Sequence, residues 1–185
     1  MATEYHYDLV IVGGGPAGSS VAYEASKNGI KVALLEKEET IAQSVRTSGV
    51  TWIQNIKEFG IPDDCYNPIK NYSFCSPNNE VTIRDTIPQA AVLDVRKTYR
   101  WLAEQAKNEG ADIFLKTNIN NVIKNKDGDI IGVSGTNKEG EVIFHSKVIV
   151  DASGFSSTVS KAMGFVTQWE RFGAGAEYEV RAENV

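Results

Sequence analysis

A run of three glycines directly after a short apolar segment most limits how this chain can fold. It lies in YDLVIVGGGPAG at residues 7–18. The four apolar residues 9–12 predict a parallel strand that is buried on both faces. Gly13 permits a tight turn out of this strand, where a side chain would clash or force a disfavoured φ. Pro16 predicts the start of a helix, because its missing N–H would have no partner in the first turn.

The turn between this strand and this helix is suited to an anion. Gly15 has no Cβ, so its backbone can approach a pyrophosphate, and Gly18 lets the helix pack closely on the strand. The free N–H groups and the positive dipole at the start of the helix favour negative charge at the same point. The first motif therefore predicts a phosphate-binding turn.

A second apolar strand, at residues 32–35, ends in Glu36. The Glu36 carboxylate can accept hydrogen bonds from both hydroxyls of an adenosine ribose, and it would repel the ribose phosphate of NADP. Glycine patterns of this kind also occur by chance in turns, but the strand, the helix and the acid together favour a function. The spacing predicts a site for the ADP half of a dinucleotide.

Composition excludes several classes of protein. With 185 residues the chain can form one domain with a full core, and its formal net charge of -5 offers no basic surface to nucleic acid. Glycines interrupt the longest apolar run, so no membrane-spanning helix is predicted. The polar and acidic start MATEYHYD does not resemble a secretory signal. We therefore expect a cytoplasmic protein.

Cysteine and histidine usage predicts neither a disulfide nor a metal site. Cys65 and Cys75 lie too far apart for a CxxC pair, and free thiols in a reducing cytoplasm are favoured over a disulfide. His6 and His145 have no carboxylate or cysteine at ligand spacing. Both histidines are interpreted as ordinary residues that flank strands.

The remainder of the chain predicts a mixture of helices and antiparallel strands. Trp52, Ile56 and Phe59 recur at helical spacing, and a change to a period of two over residues 69–84 predicts a hairpin. Another helix is predicted after Leu93. Further strands are predicted at residues 113–115, 119–123, 130–134, 142–144 and 148–150, and they indicate a β-meander.

The last predicted strand ends in the small-residue sequence DASG at residues 151–154. Ligands of open parallel sheets bind outside the carboxyl ends of the strands. Ala152 and Gly154 are small enough to let the backbone approach a cofactor. The turn is either a tight corner alone or a second wall of the first site, and its pairing with the first motif favours the second interpretation.

Two motifs together carry a resemblance to a known family. YDLVIVGGGPAGSSVAYEASKNGIKVALLEK and VIVDASG, separated by a helix and a β-meander, resemble the FAD-binding domain of glutathione-reductase-type flavoproteins, and within them the geranylgeranyl reductase family. The resemblance implies an α/β fold: a Rossmann-like FAD/NAD(P)-binding domain with a parallel sheet, a β-meander crossover and an inserted β-hairpin. Residues 1–170 would form the FAD-binding domain, with residues 63–92 inserted on the substrate side. Residues 171–185 would begin a substrate domain.

The resemblance also implies which residues bind FAD. The glycine turn would bind the pyrophosphate, Glu36 with Lys37 beside it the ribose, and the backbone of Ile119 the adenine. Arg46 and Arg96 stand where relatives place cofactor-side arginines, although each is equally well interpreted as a surface charge. The implied set is Gly13, Gly15, Pro16, Ala17, Gly18, Glu36, Lys37, Arg46, Thr47, Arg96, Ile119, Ala152 and Gly154. No residue is assigned as catalytic.

Two departures from the family pattern bear on function. Many geranylgeranyl reductases carry a Cys-Gly pair in the loop before Trp52, where this chain has Thr47 and Ser48. The family also has a later Gly-Asp motif that holds the ribityl and pyrophosphate groups, and this motif does not occur before Val185. We therefore expect a part of a longer chain, which alone binds FAD weakly or not at all and shows no turnover.

Three functions stay open. The resemblance favours a reductase of isoprenoid double bonds, with a lipid or other small-molecule substrate, hydride from reduced flavin, NAD(P)H or ferredoxin as electron donor, and at most peripheral membrane contact. A flavin-dependent aromatic monooxygenase or halogenase is the alternative, because the Arg-Thr-Ser-Gly loop at residues 46–49 suits it at least as well. The third is a nucleotide-binding fragment without catalysis. An NAD-only dehydrogenase lacks support, since the β-meander is typical of FAD domains.

Overall fold

The computed structural model describes residues 2–165, together with Gly173 and Gly175. The chain divides into two compact units. The first unit comprises Met1–Gln43 and Tyr99–Trp169, and the second comprises Ser44–Thr98 and Glu170–Val185. The substrate-domain strand predicted for residues 171–185 lies outside the described residues, and the domain boundary at residue 170 stays a prediction.

Strands and helices follow one another along the described chain as follows. They are β1 (Thr3–Val12), α1 (Pro16–Lys27), β2 (Val32–Leu35), β3 (Val50–Trp52), α2 (Ile53–Glu58), β4 (Tyr66–Ile69), β5 (Asn71–Cys75), β6 (Glu80–Arg84), β7 (Ala90–Leu93), α3 (Val95–Asn108), β8 (Asp112–Phe114), β9 (Asn118–Lys124), β10 (Ile130–Asn137), β11 (Gly140–Asp151) and α4 (Thr158–Ala162). Short 3₁₀ turns lie at Asp63–Cys65 and Gly154–Ser156.

Six strands of the first unit form one sheet in the order β8-β2-β1-β11-β10-β9. β1 pairs in parallel with both β2 and β11, and β8 extends the parallel part beyond β2. β9, β10 and β11 are antiparallel neighbours and form the predicted meander. Parallel strands covered on both faces need apolar residues throughout, and β2 is buried along its whole length. The predicted α/β fold with a parallel sheet is confirmed.

β1 and β11 are longer than their apolar runs predict. β11 continues without a break where two short strands were expected, because the Ser146 hydroxyl lies 3.0 Å from the carbonyl oxygen of Asp8 and 2.7 Å from that of Val148. The long β11 pairs with the polar first half of β1, and His6 therefore lies opposite His145 inside the sheet. The prediction that both histidines flank strands is wrong, because apolar runs alone do not mark where these strands begin.

An aromatic cluster covers one face of the sheet. Phe144 is fully buried, and its ring stacks on Tyr5 with 4.8 Å between centroids and meets Phe114 edge-on at 5.0 Å. The Tyr7 hydroxyl donates to Asp112 Oδ2 over 2.7 Å. Burial and then this carboxylate raise the pKa of Tyr7 well above its ordinary value. These contacts join β1, β8 and β11 at their side chains as well as at their backbones.

Small residues bring the helices close to the other face. Ala22 of α1 and Ala106 of α3 are fully buried in one cluster with Ile11 and Leu34. A methyl side chain at the contact allows the helix axis to approach the sheet more closely than a larger residue would. This packing holds α1 against the strands whose ends carry the glycine turn and Glu36.

The second unit contains an antiparallel sheet in the order β3-β7-β4 and the separate hairpin β5-β6. The hairpin confirms the prediction for residues 69–84. α2 begins after Trp52 and is shorter than the predicted helix, and within it Ile56 is the buried residue. Cys65 is a buried free thiol and Cys75 an exposed one. In the described part of the chain, no helix is both long enough and apolar enough to span a bilayer.

We predict that Phe144→Ala lowers the free energy of unfolding by about 3–5 kcal/mol, because it removes a fully buried ring and leaves a cavity. Val148→Ala is the matched control, since this residue lies in the same strand and is 54% exposed. It should change stability by less than about 1 kcal/mol. Urea denaturation followed by circular dichroism measures both, and equal losses would contradict the assigned core.

Candidate functional site

Gly13 is enclosed by backbone at the end of β1. Its φ is +112°, and its N–H donates to the carbonyl oxygen of Leu35 over 2.8 Å. A Cβ at this position would collide with the carbonyl oxygen of Ala152. The N–H of Ala152 in turn donates to the carbonyl oxygen of Val12 over 2.9 Å. The two predicted small-residue turns therefore lie side by side, as the sequence indicated.

The other two glycines of the pattern have opposite surroundings. A Cβ at Gly18 would strike the carbonyl oxygen of Gly13 and lie 3.3 Å from the Cβ of Ala152, so this glycine is required by the packing of α1. A Cβ at Gly15 would meet no atom within 4 Å. Gly15 also has a φ of -72° and a ψ of -176°, which other residues adopt freely. Neither packing nor backbone geometry explains a glycine at this position, but a ligand against its backbone would.

The start of α1 points its unpaired N–H groups at this open space. Pro16 is the first helical residue, and no side chain caps the helix at Gly15. Both Pro16 and Ala17 are exposed. The first four N–H groups of a helix lack intrahelical partners, and the dipole adds partial positive charge there. The position suits a phosphate group.

Glu36 lies beside the glycine turn because β1 and β2 pair in register, with Val12 opposite Leu35. Its Oε2 accepts the N–H of Gly14 over 2.8 Å, and its Oε1 accepts the N–H of Glu38 over 2.9 Å. A carboxylate offers about four lone-pair sites, so each oxygen can accept one further hydrogen bond. Glu36 is thus oriented toward the turn with acceptor capacity left for two hydroxyl groups.

The segment after β8 holds the backbone of Glu36 in place. The Glu36 N–H donates to the carbonyl oxygen of Phe114, and the Thr117 N–H donates to the carbonyl oxygen of Glu36, both over 2.8 Å. Lys116 has a φ of +52° and forms an ion pair with Glu39. Sequence analysis missed this support because the two segments are distant along the chain.

Asp151 organises the second turn. Its Oδ1 accepts the N–H of Ser153 over 3.1 Å and the hydroxyl over 2.6 Å, and its Oδ2 accepts the N–H of Ser160 over 2.7 Å and the hydroxyl over 2.8 Å. Burial acts to raise the pKa of Asp151, but these hydrogen bonds outweigh it and the pKa lies below its ordinary value. The aspartate fixes the turn that carries Ala152 to the start of α4. Sequence analysis attended to the small residues and missed it.

The remaining predicted residues are distributed over both units. In the first unit, Lys37 is exposed beside Glu36, Gly154 has a φ of +64°, and Ile119 is buried in the core cluster of β9. The glycine turn, Pro16, Ala17, Glu36 and Ala152 come together there. Arg46, Thr47 and Arg96 belong to the second unit, where Arg46 and Thr47 are exposed and Arg96 is half-buried. Their assignment to a cofactor stays a prediction.

We predict that Asp151→Asn destabilises the protein by about 1–2 kcal/mol at neutral pH, because it removes the charge that receives these hydrogen bonds. Since the folded pKa is depressed, the stabilisation is present above the ordinary value of 3.8 and is lost as the pH falls through the folded pKa. Urea denaturation from pH 7 to pH 3 measures the difference from the unmodified protein, which should shrink toward the acid end. Asp8→Asn is the control, because Asp8 faces an exposed lysine 3.5 Å away and should contribute little at any pH. A constant difference across the range would contradict this role of Asp151.

Comparison with known proteins places this geometry in a family. The FAD binding domain model matches residues 6–176. The chain is 34% identical over 167 residues to a digeranylgeranylglycerophospholipid reductase from Methanococcus vannielii, covering 88% of this chain and 42% of that protein. It is 33% identical to an uncharacterized protein in the nifH2 5′ region of Methanosarcina barkeri, covering 89% and 91% of the two chains. The chain thus spans less than half the length of the curated reductase.

Solved structures agree with the sequence relatives. A geranylgeranyl bacteriochlorophyll reductase-like protein from Thermoplasma acidophilum superposes with a TM-score of 0.78 at 28% identity, covering 87% of this chain and 42% of that one. The flavin-dependent brominase Bmp2 gives a TM-score of 0.69 at 26% identity, covering 85% and 40%. These findings confirm the resemblance to geranylgeranyl reductases and the cofactor FAD. The chain belongs to the FAD-binding domain family.

Proposed function

We propose that the first unit binds the ADP half of FAD at the glycine turn. The observation that carries this proposal is the space at Gly15, which is open although Gly13 and Gly18 on either side are enclosed by backbone. A pyrophosphate in this space would meet the N–H groups at the start of α1 without displacing any side chain. The residues present therefore fit the group that the family implies.

Glu36 would hold the adenosine ribose. Its two oxygens already accept the N–H groups of Gly14 and Glu38, which fixes the carboxylate before a ligand arrives. The remaining lone pairs would accept the two ribose hydroxyls, and the negative charge would repel a phosphate on the same ribose. This arrangement favours FAD over a phosphorylated dinucleotide.

The rest of the predicted set completes the proposed site. Ala152 and Gly154 would form the second wall beside the turn, Lys37 would flank the ribose and the Ile119 backbone would meet the adenine. Arg46, Thr47 and Arg96 would contact the cofactor from the second unit. Only the resemblance to flavoproteins supports these last three positions.

For the protein's activity we infer a flavin-dependent oxidoreductase that reduces isoprenoid double bonds. The support is the 34% identity to a protein named digeranylgeranylglycerophospholipid reductase. Reduced flavin, when bound, supplies a hydride to one alkene carbon while a proton is added to the other. The residues described here would bind and orient the cofactor, and the isoprenoid chain would be held elsewhere.

A halogenase is the second candidate. It is favoured by the likeness to a flavin-dependent brominase at 26% identity, and by the Thr47-Ser48 pair in place of the Cys-Gly pair of many geranylgeranyl reductases. Halogenation consumes oxygen and halide, whereas reduction of an alkene consumes neither. The two activities are therefore separable by their co-reactants.

We predict that Gly15→Val raises the Kd for FAD at least tenfold, equivalent to about 1.4 kcal/mol. The isopropyl group would occupy the proposed pyrophosphate space, while the backbone conformation tolerates valine and the fold should persist. Ser20→Val, on the exposed side of the same helix, adds the same side chain away from the site. Flavin fluorescence titration of protein expressed from its complete natural reading frame measures Kd, with thermal unfolding as the check on folding. Equal FAD affinity in the two variants would overturn the assignment.

We predict that Glu36→Ala weakens FAD binding by about 1–3 kcal/mol, because a charged acceptor of hydrogen bonds is lost. The same titration measures the change, and Glu39→Ala, an exposed acid of the same loop, is the control. A loss of the same size in the control would show a general effect of charge.

The activity is tested with the same protein under two conditions. Without oxygen, the dithionite-reduced FAD complex should add two hydrogen atoms per double bond to a geranylgeranyl glycerophospholipid, as measured by mass spectrometry. With oxygen, bromide and phenolic compounds, no brominated product should form. Bromination without lipid reduction would reverse the order of the two candidates.

A further inference from the structure

The chain's two histidines face each other at the far end of β1 from the glycine turn. His6 of β1 pairs directly with His145 of β11, and their rings stack with 4.7 Å between centroids and 14° between planes. His6 and Val12 are separated by about 20 Å along the strand, at about 3.3 Å per residue. The pair is therefore separate from the proposed cofactor site.

Glu4 adds a carboxylate to this pair. It lies two residues before His6 in the same strand, and side chains at that spacing share a face of the sheet. Its Oε2 lies 3.1 Å from Nε2 of His145. One ligand atom from each of the three residues falls within 4.8 Å of the other two. Glu4 is at ligand spacing from His6 because the segment is a strand, which sequence analysis did not recognise.

These distances suit a small divalent ion after modest side-chain rotation. Bonds of about 2.1 Å in a tetrahedron place ligand atoms about 3.4 Å apart, close to the separation of Glu4 and His145. Glu4 and His6 are exposed and can rotate, while His145 is half-buried and fixed by the sheet. The residue opposite His145 on β10 is Gly132, so that strand adds no side chain at this level.

The neighbouring lysines have other partners. Lys31 Nζ donates to the carbonyl oxygen of His6 over 2.8 Å and lies 4.7 Å from the centre of the Tyr7 ring. Lys147 Nζ lies 3.5 Å from Asp8 Oδ1. Both ammonium groups are thus held away from the Glu4 carboxylate, which faces His145.

We propose that Glu4, His6 and His145 form a surface site for a transition-metal ion such as Zn²⁺. Two imidazole nitrogens and one carboxylate oxygen are a ligand set suited to zinc rather than to Ca²⁺ or Mg²⁺, which prefer oxygen alone. Water would complete the coordination. The ion would join β1 to β11 and stabilise the folded state, since the unfolded chain does not bring these residues together.

Isothermal titration of the metal-free chain with Zn²⁺ tests the site. We expect one ion per chain and a thermal unfolding midpoint that rises with zinc concentration. Glu4→Gln, His6→Gln and His145→Gln should each raise the Kd at least tenfold. Glu141→Gln, an exposed acid of β11, and Cys75→Ser, the exposed thiol, are controls that should bind as the unmodified chain does. Loss of binding in Cys75→Ser, or its retention in all three ligand variants, would overturn the proposal.

A measurement on the unmodified chain does not depend on whether the variants fold. Because the chain has 2 histidines, its imidazole proton resonances can be followed individually by NMR. Zinc should shift the resonances of both histidines at the same concentration. A response from one histidine alone, or from neither, would refute the site.

Discussion

The close approach of backbone segments at Gly13 is the constraint on which the rest of the site depends. β1 ends there, α1 passes close enough that Gly18 can carry no side chain, and the turn after β11 places the carbonyl oxygen of Ala152 where a Cβ would lie. Three elements meet because two residues have no Cβ. The same approach leaves Gly15 facing open space, so the fold produces a cavity lined by backbone groups rather than by side chains.

Two carboxylates at strand ends hold the loops around this point. Glu36 follows β2 and accepts the N–H of Gly14, while Asp151 ends β11 and accepts N–H groups of Ser153 and Ser160. Both strands are neighbours of β1, so the acids lie on opposite sides of the glycine turn. Such charge-assisted hydrogen bonds order backbone that would otherwise need a ligand to order it. The site is therefore largely formed in advance, which lowers the entropic cost of binding.

The first motif could be predicted from sequence because its physics is local. Apolar run, glycine turn, Pro16 and Glu36 follow one another within a single crossover, and each has one dominant structural explanation. The length of β11 could not be predicted, because its polar middle is held by a hydrogen bond from Ser146 to the distant Asp8. The proximity of Glu4 to His145, 141 positions apart, likewise requires the pairing of β1 with β11. The roles of Arg46, Thr47 and Arg96 rest on family resemblance, which local patterns cannot replace.

The central claim is that backbone N–H groups at the start of α1 receive a diphosphate. Titration of the ¹⁵N-labelled protein with ADP, followed by amide NMR, tests it without requiring the flavin. The account predicts that the amides of Gly14, Gly15, Ala17 and Gly18 shift together and saturate with one Kd, while the amide of Gly140 at the remote turn stays unchanged. Saturable shifts confined to other parts of the chain, with these four amides unaffected, would contradict it.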